Sequence, residues 1–199
     1  MRTSLPKRIQ KLWRICLPLL KRGRLDDLGH AKEVVQFLLN YSGKERIDKK
    51  VLIPVAIMHD IGHSAILSEH FKYITGPRKI KNSKLVHMLT GAKIAADLLK
   101  KIKYPARLSK EIIEIISIHD AEQLDIPWRK VYNTYNKKIF HDIDSLDGFN
   151  PKRFIKVLHI WPKKKLIKAL QMRLNNFFFS EFRIMAIERI KCLINLKKI

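Results

Sequence analysis

The chain is poor in glycine, with 7 in 199 residues. It has no Asn-Gly pair and no convincing run of alternating apolar and polar residues, so the usual signals of hairpins and half-buried strands are missing. Its two cysteines, Cys16 and Cys192, make no disulfide framework and lack metal-ligand spacing, so a reducing cytoplasm is the expected setting. No apolar stretch reaches the ~20 residues of a membrane span, and Pro18 interrupts the N-terminal candidate. No apolar region precedes a small-residue cleavage site, which argues against a signal peptide. Internal repeats and low-complexity tracts are also absent.

Acidic residues are few, 18 against 41 Lys and Arg, for a net charge of +23. The excess sits at the ends. Residues 1–24 carry Arg2, Lys7, Arg8, Lys11, Arg14, Lys21, Arg22 and Arg24 with no acid, and beyond Pro151 basic residues far outnumber Glu181 and Glu188. Such a balance draws anions. The expected partner is a phosphorylated small molecule or nucleotide, with nucleic acid or an anionic membrane surface as a further partner of the basic termini. No nucleic-acid motif is present. With 46% hydrophobic residues, the length suits one mainly helical domain with a proper core. We expect a core over about residues 24–150, a basic N-terminal helix over 1–22 with Leu5, Ile9, Leu12, Cys16 and Leu19 on one face, and a helical extension over 151–199 broken at Trp161-Pro162.

What the chain does have is a series of metal-ligand residue types in apolar helical stripes: His30, His59-Asp60, His87, His119 and Asp144. His30 leads Val34, Phe37 and Leu38. His59 aligns with Val55 and His63. His87 aligns with Gly91, Ala95, Leu98 and Ile102, His119 follows Ile112, Ile115 and Ile116, and Asp144 follows Phe140 by one turn. Each is separated from the next by roughly one helix and a connection, so five helices can each aim a ligand at one centre. Buried histidines and carboxylates demand partners, and divalent ions would satisfy all six together.

Around these residues the chain resembles a known family. Ile57-Met58-His59-Asp60-Ile61-Gly62-His63 resembles the signature of the HD-domain superfamily, all-helical metal-dependent phosphohydrolases named for the His-Asp pair. Gly29-His30-Ala31-Lys32-Glu33-Val34 resembles the family's first-histidine helix, and Asp142-Ile143-Asp144-Ser145-Leu146-Asp147 its final aspartate motif. The segments opening at His87 and ending at His119 are similar to the extra ligands of the two-metal subgroup. The resemblance spans about residues 24 to 150. It implies an all-α HD-type helical bundle holding two divalent transition-metal ions (Fe, Mn or Co, with Zn or Mg as alternatives) on His30, His59, Asp60, His87, His119 and Asp144. It also implies cleavage of a phosphoester or phosphoanhydride in a nucleotide-like substrate through a metal-bound hydroxide, with Asp60 catalytic. His63, four residues after His59 and bordering the same site, is the second candidate catalytic residue.

His63 departs from the pattern, since many members carry Lys there. It suits a general acid for the leaving oxygen, or a grip on a phosphate. Oxygen-activating di-iron members also carry His at this position, which makes a mixed-valence di-iron oxygenase the alternative. A basic nucleic-acid- or membrane-binding module with a structural metal site is a third reading. Arg78, Lys79, Lys81 and Lys84 flank a Gly-Pro turn and are candidate phosphate clamps, with a helix start expected at Ser83. Trp128, Tyr132 and Tyr135 offer rings for stacking on a base or for the core. Two further His-Asp pairs lack the Ile-Gly sequel: Asp120 reads as a helix-end residue, and His141 and Asp142 as surface or supporting groups. Asp26, Asp27 and Asp147 are candidate braces for the ligands. His70 and His159 read as structural or exposed.

Overall fold

Every residue from Val51 to Met58 is apolar and buried, the mark of a helix surrounded by others. This helix, α3 (Lys49–Met58), is started by Asp48, whose carboxylate accepts from the Lys50 N–H at 3.0 Å, and it carries Pro54 in its interior. Proline supplies no N–H for the carbonyl four residues back. That carbonyl belongs to Lys50, and the Tyr104 hydroxyl donates to it at 2.7 Å instead.

The computed structural model describes residues 5–66, 79–159 and 161–195, and for 79–81 and 155–157 the backbone alone. Among the described residues all regular structure is helical, as the scarcity of strand signals implies. No helix among them is long and apolar enough to cross a membrane. The chain divides into two compact units, one of Met1–Tyr41 with Ile47–Lys137 and one of Ser42–Arg46 with Lys138–Ile199.

In the first unit α3 packs with α1 (Lys7–Arg22) and α2 (Asp27–Asn40); α4 (Lys79–Lys101) packs on the 3-10 turn Ile61–Ala65 and on α5 (Ala106–Ile116), which also packs with α3. α4 starts ahead of the expected Ser83. α1 buries Ile9, Leu12, Cys16 and Leu20, so the stripe ends at Leu20 rather than Leu19. α2 buries His30, Ala31, Val34, Val35 and Leu38, and α5 buries Ile112, Ile115 and Ile116. Each such aliphatic side chain contributes roughly 1.5–3 kcal/mol when fully buried. The short α6 (Trp128–Val131) and the start of α7 (Tyr135–Asp147) follow.

The second unit holds the rest of α7 with α8 (Pro151–Leu158), α9 (Lys163–Arg173) and α10 (Ser180–Asn195). Phe149, Phe154, Phe177 and Phe182 form its core. His141 and Asp142 are buried here, not on the surface. The Asp142 carboxylate lies 3.0 Å from His141 Nδ1 and accepts the N–H groups of Phe178 and Phe179 at 2.8–3.0 Å. A carboxylate that collects backbone donors ahead of α10 explains why an acid sits in this apolar setting. His159 is exposed.

After α3 a 3-10 turn, Ile61–Ala65, lies backbone against backbone on α4. A Cβ on Gly62 would collide with the His87 carbonyl oxygen and come within 2.7 Å of the Gly91 nitrogen. A Cβ on Gly91 would meet the Gly62 nitrogen at 3.3 Å and the His59 oxygen at 3.4 Å. Gly62→Ala should therefore destabilise the protein by about 1–3 kcal/mol, the usual range for overpacking. Gly91→Ala should be near neutral, because its tight contacts are offset by about 1 kcal/mol of helix propensity. In thermal melts, at roughly 2–4 °C per kcal/mol for a chain of this size, Gly62→Ala should melt several degrees below Gly91→Ala; equal midpoints would refute the close approach.

The two cysteines differ in the same testable way. Cys16 is fully buried, and burial pushes its thiol up to about 12, while Cys192 is exposed. A thiol reagent at about pH 8 should label Cys192 alone in the native protein and both after unfolding, since only the thiolate reacts. Rapid labelling of both in the native state would overturn this packing of α1.

Candidate metal centre

The side chains of the site come partly from helices and partly from helix ends. His30 projects from the buried face of α2 and His87 from α4, both buried. His59 and Asp60 do not lie within a helix, as the apolar stripe suggests. α3 stops at Met58, and His59 caps it with its N–H on the Val55 carbonyl at 2.8 Å. Asp60 opens the 3-10 turn. Successive residues on a helix diverge by about 100°, and the break lets both side chains reach one place. His119 also lies past its helix, in the turn after Ile116. Tyr132 holds that turn: fully buried, its hydroxyl is shared between the Ile118 and His119 carbonyls, both at 2.8 Å. Its ring is therefore core.

Asp60 is the centre. Its Oδ1 lies 3.5 Å from His63 Nε2, 3.6 Å from His119 Nε2 and 3.8 Å from His87 Nε2. Its Oδ2 lies 3.4 Å from His59 Nε2 and 4.0 Å from His30 Nε2. The Nε2 atoms of His30 and His59 are 2.9 Å apart, and those of His87 and His119 are 3.2 Å apart. His63 stacks on His87, with ring centroids 4.1 Å apart and planes 11° from parallel, and its buried Nε2 makes no hydrogen bond.

The tautomers follow from the backbone. Nδ1 faces a carbonyl oxygen in His59 (Ala56, 3.2 Å), His119 (Ile116, 2.8 Å) and His87 (Ser83, 3.3 Å). A carbonyl only accepts, so each Nδ1 carries the proton and each neutral ring presents a bare Nε2 lone pair to the centre. Burial also pushes the His87 imidazolium down to about 4, against the pull of Asp120. The short contact between His87 and His119 is then two lone pairs face to face, which is repulsive unless a cation lies between them. Metal–nitrogen bonds of about 2.1 Å put neighbouring ligand atoms about 3.0–3.4 Å apart, near the observed spacings. The donor set fits a divalent ion, and the carbonyls fix the imidazoles as supporting groups do in metal sites. Asp60 itself stays ionised: burial alone would raise its pKa, but the positive charge around it, with Arg24 at 2.8 Å, holds it well below the usual carboxylate range.

Two cations and a second acid border the centre; the sequence reading offered Lys84 as a phosphate clamp but did not place Arg24 or Asp120 there. Arg24 reaches in from the α1–α2 turn, with Nη2 2.8 Å from Asp60 Oδ2 and Nε 2.8 Å from Asp27 Oδ1. Asp27, a candidate brace for an imidazole, holds Arg24 instead, also accepting its backbone N–H at 2.7 Å. Gly23 leaves room for that carboxylate, where a Cβ would collide with Asp27 Oδ2. Asp120, read as a helix-end residue, turns its Oδ2 to 3.3 Å from His87 Nε2, and Lys84 Nζ pairs with the same oxygen at 2.6 Å. Lys84 is thus engaged with a carboxylate of the site. Of its companion clamps, Arg78 lies outside the described residues, as does His70, and of Lys79 and Lys81 only the helical backbone is described. Asp147, expected to brace Asp144, pairs with Arg153 at 3.1 Å. Asp144 lies on α7 in the second unit, half-buried. The sets Asp60–His63–His87 and His87–His119–Asp120 each bring one donor atom per residue within 4.8 Å of one another.

A family model described as HD domain matches residues 27–148, more than half of the chain. The chain belongs to the HD domain family. No curated protein and no solved structure matches it. HD domains are metal-dependent hydrolases that generally bind divalent metals. In this HD domain His30, His59, Asp60, His87 and His119 present donors suited to that task.

Because bare lone pairs oppose one another across the centre, metal should stabilise the HD domain strongly. An ion at about a hundred times its Kd contributes about 2.7 kcal/mol, or roughly 5–10 °C in Tm at this size. Melting curves before and after chelation, and after adding back Mn or Fe, check this; identical curves would refute metal binding at the site.

Proposed function

We propose that this HD domain is a phosphohydrolase that cleaves a phosphoester or phosphoanhydride bond in a nucleotide-like substrate with two divalent transition-metal ions. The observation that carries the reading is the convergence of backbone-fixed Nε2 lone pairs on the two oxygens of one buried carboxylate, Asp60. A carboxylate with nitrogen donors on both oxygens suits a bridging ligand, and an imidazole–carboxylate set favours Fe, Mn, Co or Zn over Ca. Asp144 is offered as a further ligand on its resemblance to the final aspartate motif. When bound, such ions neutralise phosphoryl oxygens and lower the pKa of a coordinated water.

The chain's own groups do the rest by position. His63 Nε2 is buried, free of hydrogen bonds and 3.5 Å from Asp60 Oδ1, so it is the group to deliver a proton to the leaving oxygen. Its stacking on His87 fixes the ring. Arg24, anchored through Nε on Asp27, has its Nη2 at the edge of the centre and supplies a planar donor for a phosphoryl oxygen. The +23 net charge steers anionic substrates and extends to nucleic acid or an anionic surface as partners of the basic termini.

One feature favours a second reading. His63, where many members have Lys, is shared with oxygen-activating di-iron members, and a di-iron oxygenase would use the same ligands.

Elemental analysis of the purified protein beside Asp60→Asn, followed by hydrolysis assays on nucleotide esters and anhydrides, tests the proposal. We expect about two transition-metal ions per chain, with loss of metal in the variant. Hydrolysis should fall by more than about a hundredfold, past the effect of losing a mere supporting partner. Full activity in Asp60→Asn would sink the site. High iron with oxygen consumption and no hydrolysis would transfer the assignment to the oxygenase.

A further inference from the structure

Asp120 immediately follows a ligand histidine but lies outside the family's ligand pattern. Its surroundings are built rather than incidental. Oδ1 accepts from Gln123 Nε2 at 2.8 Å, the backbone N–H points at Met88 Sδ at 3.3 Å, and Lys84 Nζ pairs with Oδ2 at 2.6 Å. Lys84 and Met88 stand on α4 on either side of His87, so one helix fixes the carboxylate and supplies the imidazole beside it. The same Oδ2 is 3.3 Å from His87 Nε2 and 3.9 Å from His119 Nε2. With Nδ1 of both rings facing carbonyls, those nitrogens have lone pairs to offer, not protons. Lys84 alone would satisfy an acid at this position; it does not explain why two bare imidazole nitrogens crowd the same oxygen.

We propose that Asp120 is a ligand of the second metal ion, together with His87 and His119, and that Lys84 holds this carboxylate and competes with the ion for it. Asp60 Oδ1, 3.8 Å and 3.6 Å from the same two nitrogens, provides the fourth donor and the link to the first ion. The inference rests on the two-ion reading above and adds to it a carboxylate that the family pattern omits. It also makes the two ions unequal. The His59 side of Asp60 has Arg24 as its neighbouring cation, half-exposed on a long arm, whereas the ammonium of Lys84 is largely buried beside the second ion. The second ion is therefore the weaker one.

Metal titration of the full chain with Mn(II) or Co(II) tests this without recourse to activity. Asp120→Asn should weaken the second ion by more than about a hundredfold, beyond the 10- to 100-fold that loss of an orienting partner brings, and leave the first unchanged. Lys84→Met should tighten the second ion. Asp120→Cys loaded with Co(II) should show a thiolate-to-cobalt charge-transfer band that the wild type lacks, because sulfur at a ligand position binds the metal directly. Equal affinity for both ions in Asp120→Asn, or absence of the band in a Cys variant that still binds two ions, would overturn the proposal while leaving the hydrolase reading intact. A wild-type protein that takes up one ion and still hydrolyses its substrate would overturn it too. No metal and no hydrolysis in the wild type would remove both.

Discussion

A buried carboxylate surrounded by imidazoles dictates the rest of this structure. Asp60 is almost excluded from water, and five histidine Nε2 atoms lie within 4.0 Å of its oxygens. An ionised acid in such a place needs compensating positive charge, because desolvation costs several kcal/mol per ion. Imidazoles supply it only if protonated, and backbone carbonyls hold the protons of His59, His87 and His119 on the far nitrogens. Arg24 supplies one cation at the rim. The remaining demand points to metal, and the ligands, the turns that carry them and the glycines that admit those turns are consequences of it.

Gly62 and Gly91 show how far the demand reaches into the backbone. Their contact seats the 3-10 turn directly on α4, which brings His63 onto His87 and carries Asp60 to the imidazoles of α4 and of the turn after α5. The turn is tied from behind as well: Arg22 Nε donates to the Ser64 carbonyl at 3.1 Å, and Ser64 Oγ to the Ile61 carbonyl at 2.7 Å. α3, apolar on every side, ends where the chemistry begins. Its core residues can be read as anchoring a turn that would gain little from hydrophobic burial of its own.

The fold class was legible because absences are informative: few glycines and no alternation leave helices as the way to bury so many aliphatic residues. The His-Asp-Ile-Gly segment was legible for the same reason, since an acid in a wholly apolar stretch has to be explained. What escaped was the termination of helices. His59 and His119 fit the apolar stripes well enough to read as interior positions, yet both lie just past a helix end. That error concealed Asp120. Judged on a regular helix it points away from the stripe of His119; on the turn that follows Ile116 it does not. Arg24 was hidden differently, as one of eight basic residues in a segment whose charge reads as a whole. Only Asp27, three residues on, distinguishes it, and an i,i+3 pair is a weak signal by itself.

The two bordering cations give the centre its electrostatic asymmetry. Arg24 and Lys84 each neutralise a carboxylate, Asp60 and Asp120, that also belongs to the imidazole cluster. Burial alone would raise the Asp120 pKa, yet the charge and hydrogen bond of Lys84 at 2.6 Å help to outweigh it and keep the acid ionised. Each acid is thus kept charged by a partner with which an incoming ion must contend. Arg24 is half-exposed and anchored on Asp27 through Nε, with Nη2 on the carboxylate of Asp60. Lys84 is mostly buried and rises from the same helix as His87, so it has less room to retreat. A protein carrying a net charge of +23 attracts polyanions readily but repels cations, and acids held ionised at the centre create a local negative sink against that field. On the proposed reading, the net positive charge and the guarded carboxylates serve opposite needs of one site: attraction of an anionic substrate from a distance, and retention of cations at close range.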